Sequence, residues 1–300
     1  MKCLKPITLK NGITVNCGRC RACRVNRSTM WTLRLIFELD KWKYASFVTL
    51  TYNEDKIPED FGLCKRDLQL FIKRLRARLS EDNRRLVYYA VGEYGSDNRS
   101  APIGIEHGRP HYHLIIFGLN PDPYDEDNKD RDIIADCWEN CDRVLFGWKR
   151  SNNAIDYVNR VTIGYVTGYV QKKLNGQVAK EYYGTRQPPF MQCSHYLGLE
   201  YFDKWKNYYS DLGYIRFKGH KNALPRYFRK KYNINLEFDS DNFDVTPIDE
   251  FLRSIKDCDI KSNSVKKRLY RDWLERRLYK VANVVEHDYM QRQKIVGGKI

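Results

Sequence analysis

The sequence predicts an α+β fold in which helices flank an antiparallel central sheet. Three short runs rich in β-branched and aromatic residues, 44–52, 86–93 and 111–117, predict strands. Two segments with apolar residues at helical spacing, 28–43 and 65–79, predict helices. Because hairpins or single helices can connect these strands, we expect neighbouring strands to run antiparallel.

Beyond the third strand, the sequence predicts shorter elements and a basic C-terminal region. The acidic stretch 122–132 predicts a solvated loop, and 133–141 predicts a short helix. Residues 153–158 predict a strand, and Thr162 is expected to cap a helix over 163–174. Three basic amphipathic stretches follow and predict helices, at 201–212, 224–232 and 265–281.

The composition is that of a folded chain, with 42% hydrophobic and 14% aromatic residues, and it excludes a disordered one. We expect three regions. Residues 1–42 form a Cys-rich module and its helix, 43–175 form the core with the sheet, and 176–300 form a basic, mainly helical region. The length of 300 residues is sufficient for one large domain with additions.

The charge balance indicates a polyanionic partner. The chain has 53 Lys and Arg against 38 Asp and Glu, a formal net charge of +15, which suits nucleic acid or an anionic membrane surface. We find no run of about 18 apolar residues and no apolar signal stretch at the start. We therefore expect a soluble protein that acts in the cytoplasm, and nucleic acid is the leading partner.

Two histidines in the third predicted strand are candidate metal ligands. His111 and His113 point to the same face because side chains alternate along a strand. Glu93 ends the preceding strand, where an antiparallel partner could bring its carboxylate beside the two imidazoles. Two nitrogens and one oxygen suit a divalent ion that also holds a phosphate oxygen. The alternative is a histidine pair that only packs on its neighbours.

Two tyrosines in the predicted helix over 163–174 are candidate nucleophiles. Tyr165 and Tyr169 are four residues apart and therefore lie on one helix face, with Lys172 and Lys173 about one turn beyond. A tyrosine hydroxyl can attack a phosphodiester when a metal polarises the phosphate and a cation stabilises the developing charge. The alternatives are core packing for the tyrosines and solvated positions for the lysines.

These motifs together resemble the HUH endonucleases, and among them the replication initiation proteins of small single-stranded DNA phages of the microvirus group. The resemblance covers about residues 1–175. It consists of these segments: Phe47 to Thr51, Gly92 to Gly95, Arg109 to His113, the pair Tyr165 and Tyr169 with the lysines beside it, and the early cysteines.

The resemblance implies a nickase that starts rolling-circle replication in the cytoplasm of a bacterial host. One tyrosine attacks the origin with Mg²⁺ or Mn²⁺ bound, leaving a 5′-phosphotyrosine and a 3′-OH that primes a host DNA polymerase. The second tyrosine later rejoins the displaced strand into a circle. The sequence does not indicate which tyrosine attacks first. The basic C-terminal region is expected to contact DNA or a host helicase.

Nine cysteines, four of them within the first 23 residues, favour a reducing compartment over a disulfide framework. Four thiolates could hold a structural zinc ion, with an iron–sulfur cluster and free thiols as the alternatives. The candidate ligands are Cys3, Cys17, Cys20 and Cys23.

Several arginines are expected to bind the phosphate backbone of DNA. Arg19, Arg21, Arg24 and Arg27 are interspersed with the early cysteines, and Arg109 directly precedes the histidine strand.

Three other functions remain open from the sequence. A plasmid initiator or a transposase could use the same residues and chemistry. A non-catalytic protein could hold single-stranded nucleic acid with its basic and aromatic side chains. A zinc-dependent hydrolase built on His111, His113 and Glu93 would leave the two tyrosines unexplained.

Overall fold

The computed structural model of the chain describes residues 3–95, 108–120, 122, 125, 129–141, 145–146, 158–169, 174, 176–217 and 220–234. No helix in these ranges is long and apolar enough to cross a membrane. The elements in chain order are β1 Ile7–Thr8, β2 Thr14–Val15, α1 Arg21–Leu39, β3 Ala45–Leu50, α2 Lys65–Glu81, β4 Val87–Tyr94, β5 Pro110–Phe117, α3 Asp130–Cys137, β6 Leu145–Phe146, α4 Arg160–Gly168, α5 Gln177–Tyr183, β7 Phe190–Cys193, α6 Leu199–Lys204, α7 Lys206–Leu212, β8 Tyr214–Phe217, β9 His220–Ala223 and α8 Arg226–Lys231.

The described residues divide into two compact units, and the division falls within α1. The sheet unit contains residues up to 28 and 42–194, and the second unit contains 29–41 and the described residues from 195 onward. In the sheet unit, five strands form one sheet in the order β6-β3-β5-β4-β7 with all pairs antiparallel. The prediction of an antiparallel sheet flanked by helices in an α+β fold is therefore confirmed.

One face of this sheet carries the main apolar core of the sheet unit. Alternate residues of β3, β4 and β5, such as Val48, Ala90 and Leu114, are almost fully buried there. The apolar side of α2 packs on the same core through Leu68, Phe71, Ile72, Leu75 and Leu79. Because side chains alternate along a strand, the residues between these positions point to the opposite face of the sheet.

A buried hydroxyl network ties the core face of β5 to the start of α2. The hydroxyl of Tyr112, a fully buried residue, accepts from Cys64 N at 2.9 Å and lies 2.8 Å from Cys64 O. It also lies 2.7 Å from the Tyr52 hydroxyl, which donates to Asp67 at 2.8 Å. These bonds satisfy polar groups that would otherwise be costly to bury.

We expect Tyr112→Phe to lower the free energy of unfolding by about 1–3 kcal/mol, because removal of the hydroxyl leaves its buried partners without a bond. Urea denaturation measures the change, with Tyr196→Phe as the control because Tyr196 is exposed. An unchanged unfolding midpoint in Tyr112→Phe would mean that the network contributes nothing measurable.

Three expectations about where elements begin or are capped need correction. Helix α1 starts at Arg21 and not at 28, because buried Ala22 and Cys23 extend its apolar side toward the N-terminus. Helix α4 starts at Arg160 because Asn159 is its N-cap, while Thr162 completes the capping box three residues later. The expectation that Thr162 itself is the cap is therefore wrong.

The acidic stretch 122–132 was expected to be a solvated loop, but its end is buried and helical. Asp130 begins α3 and is 8% exposed. Its carboxylate pairs with both terminal nitrogens of Arg84, at 2.5 and 2.8 Å, and accepts from Asn120 N at 2.8 Å. The bidentate ion pair and the backbone bond compensate for the loss of solvation.

Some elements carry no sequence pattern that predicts them. The two hairpins, β1-β2 and β8-β9, have strands of two and four residues. The edge strand β7 is half-buried throughout and so lacks a clear alternation. The stretch 201–212 forms two short helices, α6 and α7. The predicted strand over 153–157, residues 170–173 and the helix 265–281 lie outside the described residues.

The second unit is held by an aromatic cluster and by capping of a tight turn. The ring of Phe202 stacks on Phe228 with centroids 4.3 Å apart, and Phe37 stacks on Tyr201 at 4.6 Å. Gly198 has φ +71°, a conformation that favours glycine, and its N–H donates to Glu38 at 2.8 Å. This unit contains its own core.

Candidate active site and metal centre

The sheet brings the three predicted metal ligands together on the face opposite the main core. In the β4-β5 register, Glu93 is directly opposite His111, and His113 lies two residues further along β5. Glu93 Oε1 is 3.0 Å from His111 Nε2 and 3.6 Å from His113 Nε2. All three ligand atoms lie within 4.8 Å of one another. Glu93 and His113 are only 4% and 6% exposed.

Hydrogen bonds to the other ring nitrogens orient both imidazoles. His111 Nδ1 lies 3.1 Å from the carbonyl oxygen of Arg109, to which it donates, so Nε2 is the atom directed at Glu93. His113 Nδ1 lies 2.9 Å from the hydroxyl of Thr49, its cross-strand partner in β3. Sequence reasoning gave no role to Thr49, although it lies in the first strand motif. Such outer contacts commonly fix metal-binding histidines.

The donor set fits a divalent metal ion. Two imidazole nitrogens and one carboxylate oxygen converge on one side, and a buried carboxylate between two imidazoles is a common metal-binding arrangement. Three protein ligands also leave coordination positions for a substrate oxygen. The residues present therefore match the predicted ligand set, and the chemistry of the set does not select one divalent metal.

Helix α4 places the two tyrosines against this histidine pair. The ring of Tyr169 stacks on His113 with centroids 4.7 Å apart and an interplanar angle of 12°. The ring of Tyr165 meets His113 edge-on at 5.5 Å and Tyr169 at 4.7 Å. Phe47 of β3 also contacts Tyr165, at 6.0 Å. Two candidate nucleophiles and three candidate ligands thus form one cluster.

The two tyrosines differ in their surroundings. Tyr169 is 6% exposed, whereas Tyr165 is partly exposed. Burial raises the pKa of Tyr169 well above its ordinary value, and the nearby Glu93 carboxylate, to which the hydroxyl hydrogen-bonds, acts in the same direction. Lys172 and Lys173, predicted to act beside the tyrosines, lie outside the described residues, so their roles stay predictions.

The four early cysteines also converge, and we call them the cysteine cluster: Cys3, Cys17, Cys20 and Cys23. Their sulfurs lie within 4.8 Å of one another. Backbone N–H groups, that of Cys23 first, lower the pKa of Cys20 to about 6, whereas burial raises the pKa of Cys23 to about 12.

The predicted DNA-binding arginines have different positions. Arg19 and Arg21 are exposed beside the cysteine cluster, but Arg24 is only 4% exposed. The expectation of a surface position for Arg24 is therefore wrong. Arg109 pairs with Glu54 at 2.5 Å and donates to the carbonyl of Tyr52 at 3.0 Å, so part of its charge is already neutralised. DNA contact by these arginines stays a prediction.

Comparison with known proteins identifies the class to which this fold and site correspond. Residues 45–174, which contain the three candidate ligands and both tyrosines, match a family model of replication-associated proteins of the ORF2 type. No solved structure matches the chain.

Curated relatives agree with this class. The chain is 29% identical to replication-associated protein VP4 of Bdellovibrio phage phiMH2K, over 73% of the chain and 67% of the relative. It is 26% identical to ORF4 of Chlamydia phage 1, over 76% of the chain and 57% of the relative, and 26% identical to ORF2 of Spiroplasma virus 4, over 91% and 84%. Both are also replication-associated proteins. The resemblance to microvirus-type replication initiators is therefore confirmed.

Proposed function

We propose that the chain starts rolling-circle replication of a phage genome by nicking one DNA strand at an origin, through attack of a tyrosine hydroxyl. The observation that carries the proposal is the contact of both tyrosines of α4 with His113, one of the three candidate metal ligands. The similarity to phage replication-associated proteins supports a role in initiating replication. Together they favour an HUH-type nickase.

The exchange of bonds at phosphorus accounts for both cutting and joining. The tyrosine oxygen forms a bond to phosphorus while the bond from phosphorus to the 3′ oxygen breaks. The tyrosine proton is lost, and the leaving 3′ oxygen gains a proton. A 5′-phosphotyrosine and a 3′-OH result. Because one phosphodiester replaces another, rejoining needs no nucleoside triphosphate.

The residues of the site have distinct roles in this proposal. Glu93, His111 and His113 are the ligands of Mg²⁺ or Mn²⁺, which when bound polarises the scissile phosphate. Thr49 and the carbonyl of Arg109 hold the two rings in the orientation that directs them to the ligand position. The buried setting of Glu93 and His113 strengthens electrostatic interactions with the phosphate because little water screens them.

Exposure separates the two nucleophiles in time. Tyr165 makes the first attack, because its partly exposed ring is the one that an incoming strand can reach. Tyr169 is buried and held by Glu93, and it attacks the regenerated origin after one round of synthesis. A host polymerase extends the 3′-OH and a host helicase opens the duplex, in the cytoplasm of a bacterial cell.

The test uses single-stranded DNA that carries a candidate origin and a label 3′ to the cut. Wild-type protein with Mn²⁺ should carry the label to protein mass on a denaturing gel, and EDTA should prevent it. The double variant Tyr165→Phe/Tyr169→Phe should give no adduct while it still binds the DNA. Tyr196→Phe, which changes an exposed tyrosine of the second unit, is the control.

Three results would contradict the proposal. An adduct of undiminished yield in the double variant would mean that another residue is the nucleophile. Cleavage without any covalent product in the wild type would instead favour a hydrolase that uses the same ligands. Binding without cleavage of any origin-containing strand would favour a non-catalytic single-strand binding protein.

A further inference from the structure

The geometry of the cysteine cluster points to a second metal site, remote in chemistry from the histidine pair. We infer that the cluster binds one structural zinc ion, which joins the N-terminal segment to the start of α1. Four thiolates and no nitrogen or oxygen donors are the ligand set of structural zinc, whereas Mg²⁺ and Mn²⁺ prefer oxygen and nitrogen.

The spacing of the sulfurs matches a single tetrahedral ion. Zinc–sulfur bonds of about 2.3 Å in a tetrahedron place the sulfurs about 3.8 Å apart. Cys3 Sγ is 3.5 Å from Cys17 Sγ and 3.8 Å from Cys20 Sγ, and Cys17 Sγ is 4.0 Å from Cys23 Sγ. A cluster of two or four irons spreads its thiolates over several metal atoms, and the 4.8 Å limit on all sulfur pairs is too small for that.

The backbone around the sulfurs has the form of a metal-binding turn. The N–H groups of Arg19 and Cys20 both point at Cys17 Sγ, at 3.5 and 3.3 Å. Leu4 N lies 3.4 Å from Cys20 Sγ and Cys17 N lies 3.3 Å from Cys3 Sγ. Gly18 has φ +71°, which lets the chain turn within the Cys-x-x-Cys segment. The N–H groups stabilise negative charge on the sulfurs.

The surrounding charge also favours a metal–thiolate centre. Four thiolates and Zn²⁺ together carry a net negative charge. The exposed side chains of Arg19 and Arg21 flank the cluster, and α1 begins at Arg21, so the positive end of the helix dipole faces the sulfurs. These positive contributions offset the charge of the centre.

The N-terminal hairpin contributes no buried side chain to the core of the sheet unit. Residues of the strands β1 and β2 are exposed or half-buried, and Ile7 and Ile13 are 40% and 57% exposed. A two-stranded hairpin without an apolar face has little stability of its own. One ion bound by Cys3, Cys17 and the first turn of α1 supplies a cross-link, as metals do in small modules without a core.

The zinc site also has a route to the tyrosine helix. Ser28, about one and a half turns beyond Cys23 on α1, donates to Thr167 Oγ1 at 3.4 Å. Thr167 is fully buried and lies on α4 between the two tyrosines. The ion therefore anchors the start of the helix that contacts α4, and this positioning effect, unlike zinc binding itself, rests on the proposed function.

The test measures metal content, which is independent of nicking. Wild-type full-length protein, purified without chelator, should contain about one zinc per chain by mass spectrometry of the metals. X-ray absorption should show four sulfur neighbours at about 2.3 Å. Cys20→Ser should lose the zinc, and Cys193→Ser, which changes a cysteine outside the cluster, should keep it. His111→Ala/His113→Ala should also keep it.

Several outcomes would overturn the zinc site. These are a wild-type protein without zinc, one iron per chain in its place, or zinc with nitrogen or oxygen neighbours. Zinc lost in the double histidine variant but retained in Cys20→Ser would move the ion to the histidine pair. If Cys20→Ser does not fold, the absorption spectrum of the wild type decides the question alone. If zinc is present but no adduct forms with DNA, the proposed nicking fails and the zinc site stands.

Discussion

His111→Ala/His113→Ala should lower the rate of DNA cleavage by about a thousandfold or more, with single-strand binding changed far less. The two substitutions remove both nitrogen donors and leave Glu93 as the one remaining candidate ligand at that site among the described residues. A bound metal stabilises the transition state by several kcal/mol, and about 4 kcal/mol corresponds to a thousandfold in rate.

The measurement combines cleavage of labelled DNA, Mn²⁺ binding by titration calorimetry, and DNA binding by fluorescence anisotropy. His195→Ala is the matched control, because His195 is an exposed histidine of the second unit. Cleavage and Mn²⁺ affinity should fall together in the double variant and remain unchanged in the control. Full cleavage by the double variant would remove the metal site from the mechanism.

Tyr165→Phe should abolish formation of the first covalent adduct, whereas Tyr169→Phe should still form it but fail to join strands. Loss of the nucleophile is expected to lower the rate of the affected step by several orders of magnitude, since phenylalanine has no oxygen to attack phosphorus. The difference in exposure of the two rings assigns the steps.

Two DNA substrates separate the steps. The first is an intact origin strand, on which adduct yield reports the initial attack. The second is a strand with two origins, on which a released circle reports joining. Tyr169→Phe should give adduct without circles, and Tyr165→Phe should give neither. An adduct formed only by Tyr165→Phe would reverse the order, and equal adducts from both single variants would make the tyrosines interchangeable.

The strands of the site could be predicted from the sequence because their patterns are local. Apolar and β-branched residues mark β3, β4 and β5, and alternation along β5 is sufficient to place His111 and His113 on one face. The pairing of Glu93 with His111 required only that β4 and β5 be antiparallel neighbours, and the register confirms that geometry.

Other features depend on contacts between distant segments and could not be predicted. The bond between Thr49 and His113 follows from the β3-β5 register, which no local pattern encodes. The burial of Asp130 depends on Arg84, 46 residues earlier in the chain. The different exposure of Tyr165 and Tyr169 arises because only the latter reaches over His113 to Glu93, although their spacing in the helix is symmetrical.

The capping box at the start of α4 has a consequence for how the nucleophiles are aimed. Each residue advances an α-helix by about 100°, so the direction of a side chain depends on how many residues separate it from the point where the helix begins. Asn159 and Thr162 fix that point through reciprocal bonds. Their bonds therefore act as an angular setting for Tyr165 and Tyr169. The chain ahead of Asn159 can change in length without rotating the tyrosines, whereas a single residue inserted after it would turn both away from His113.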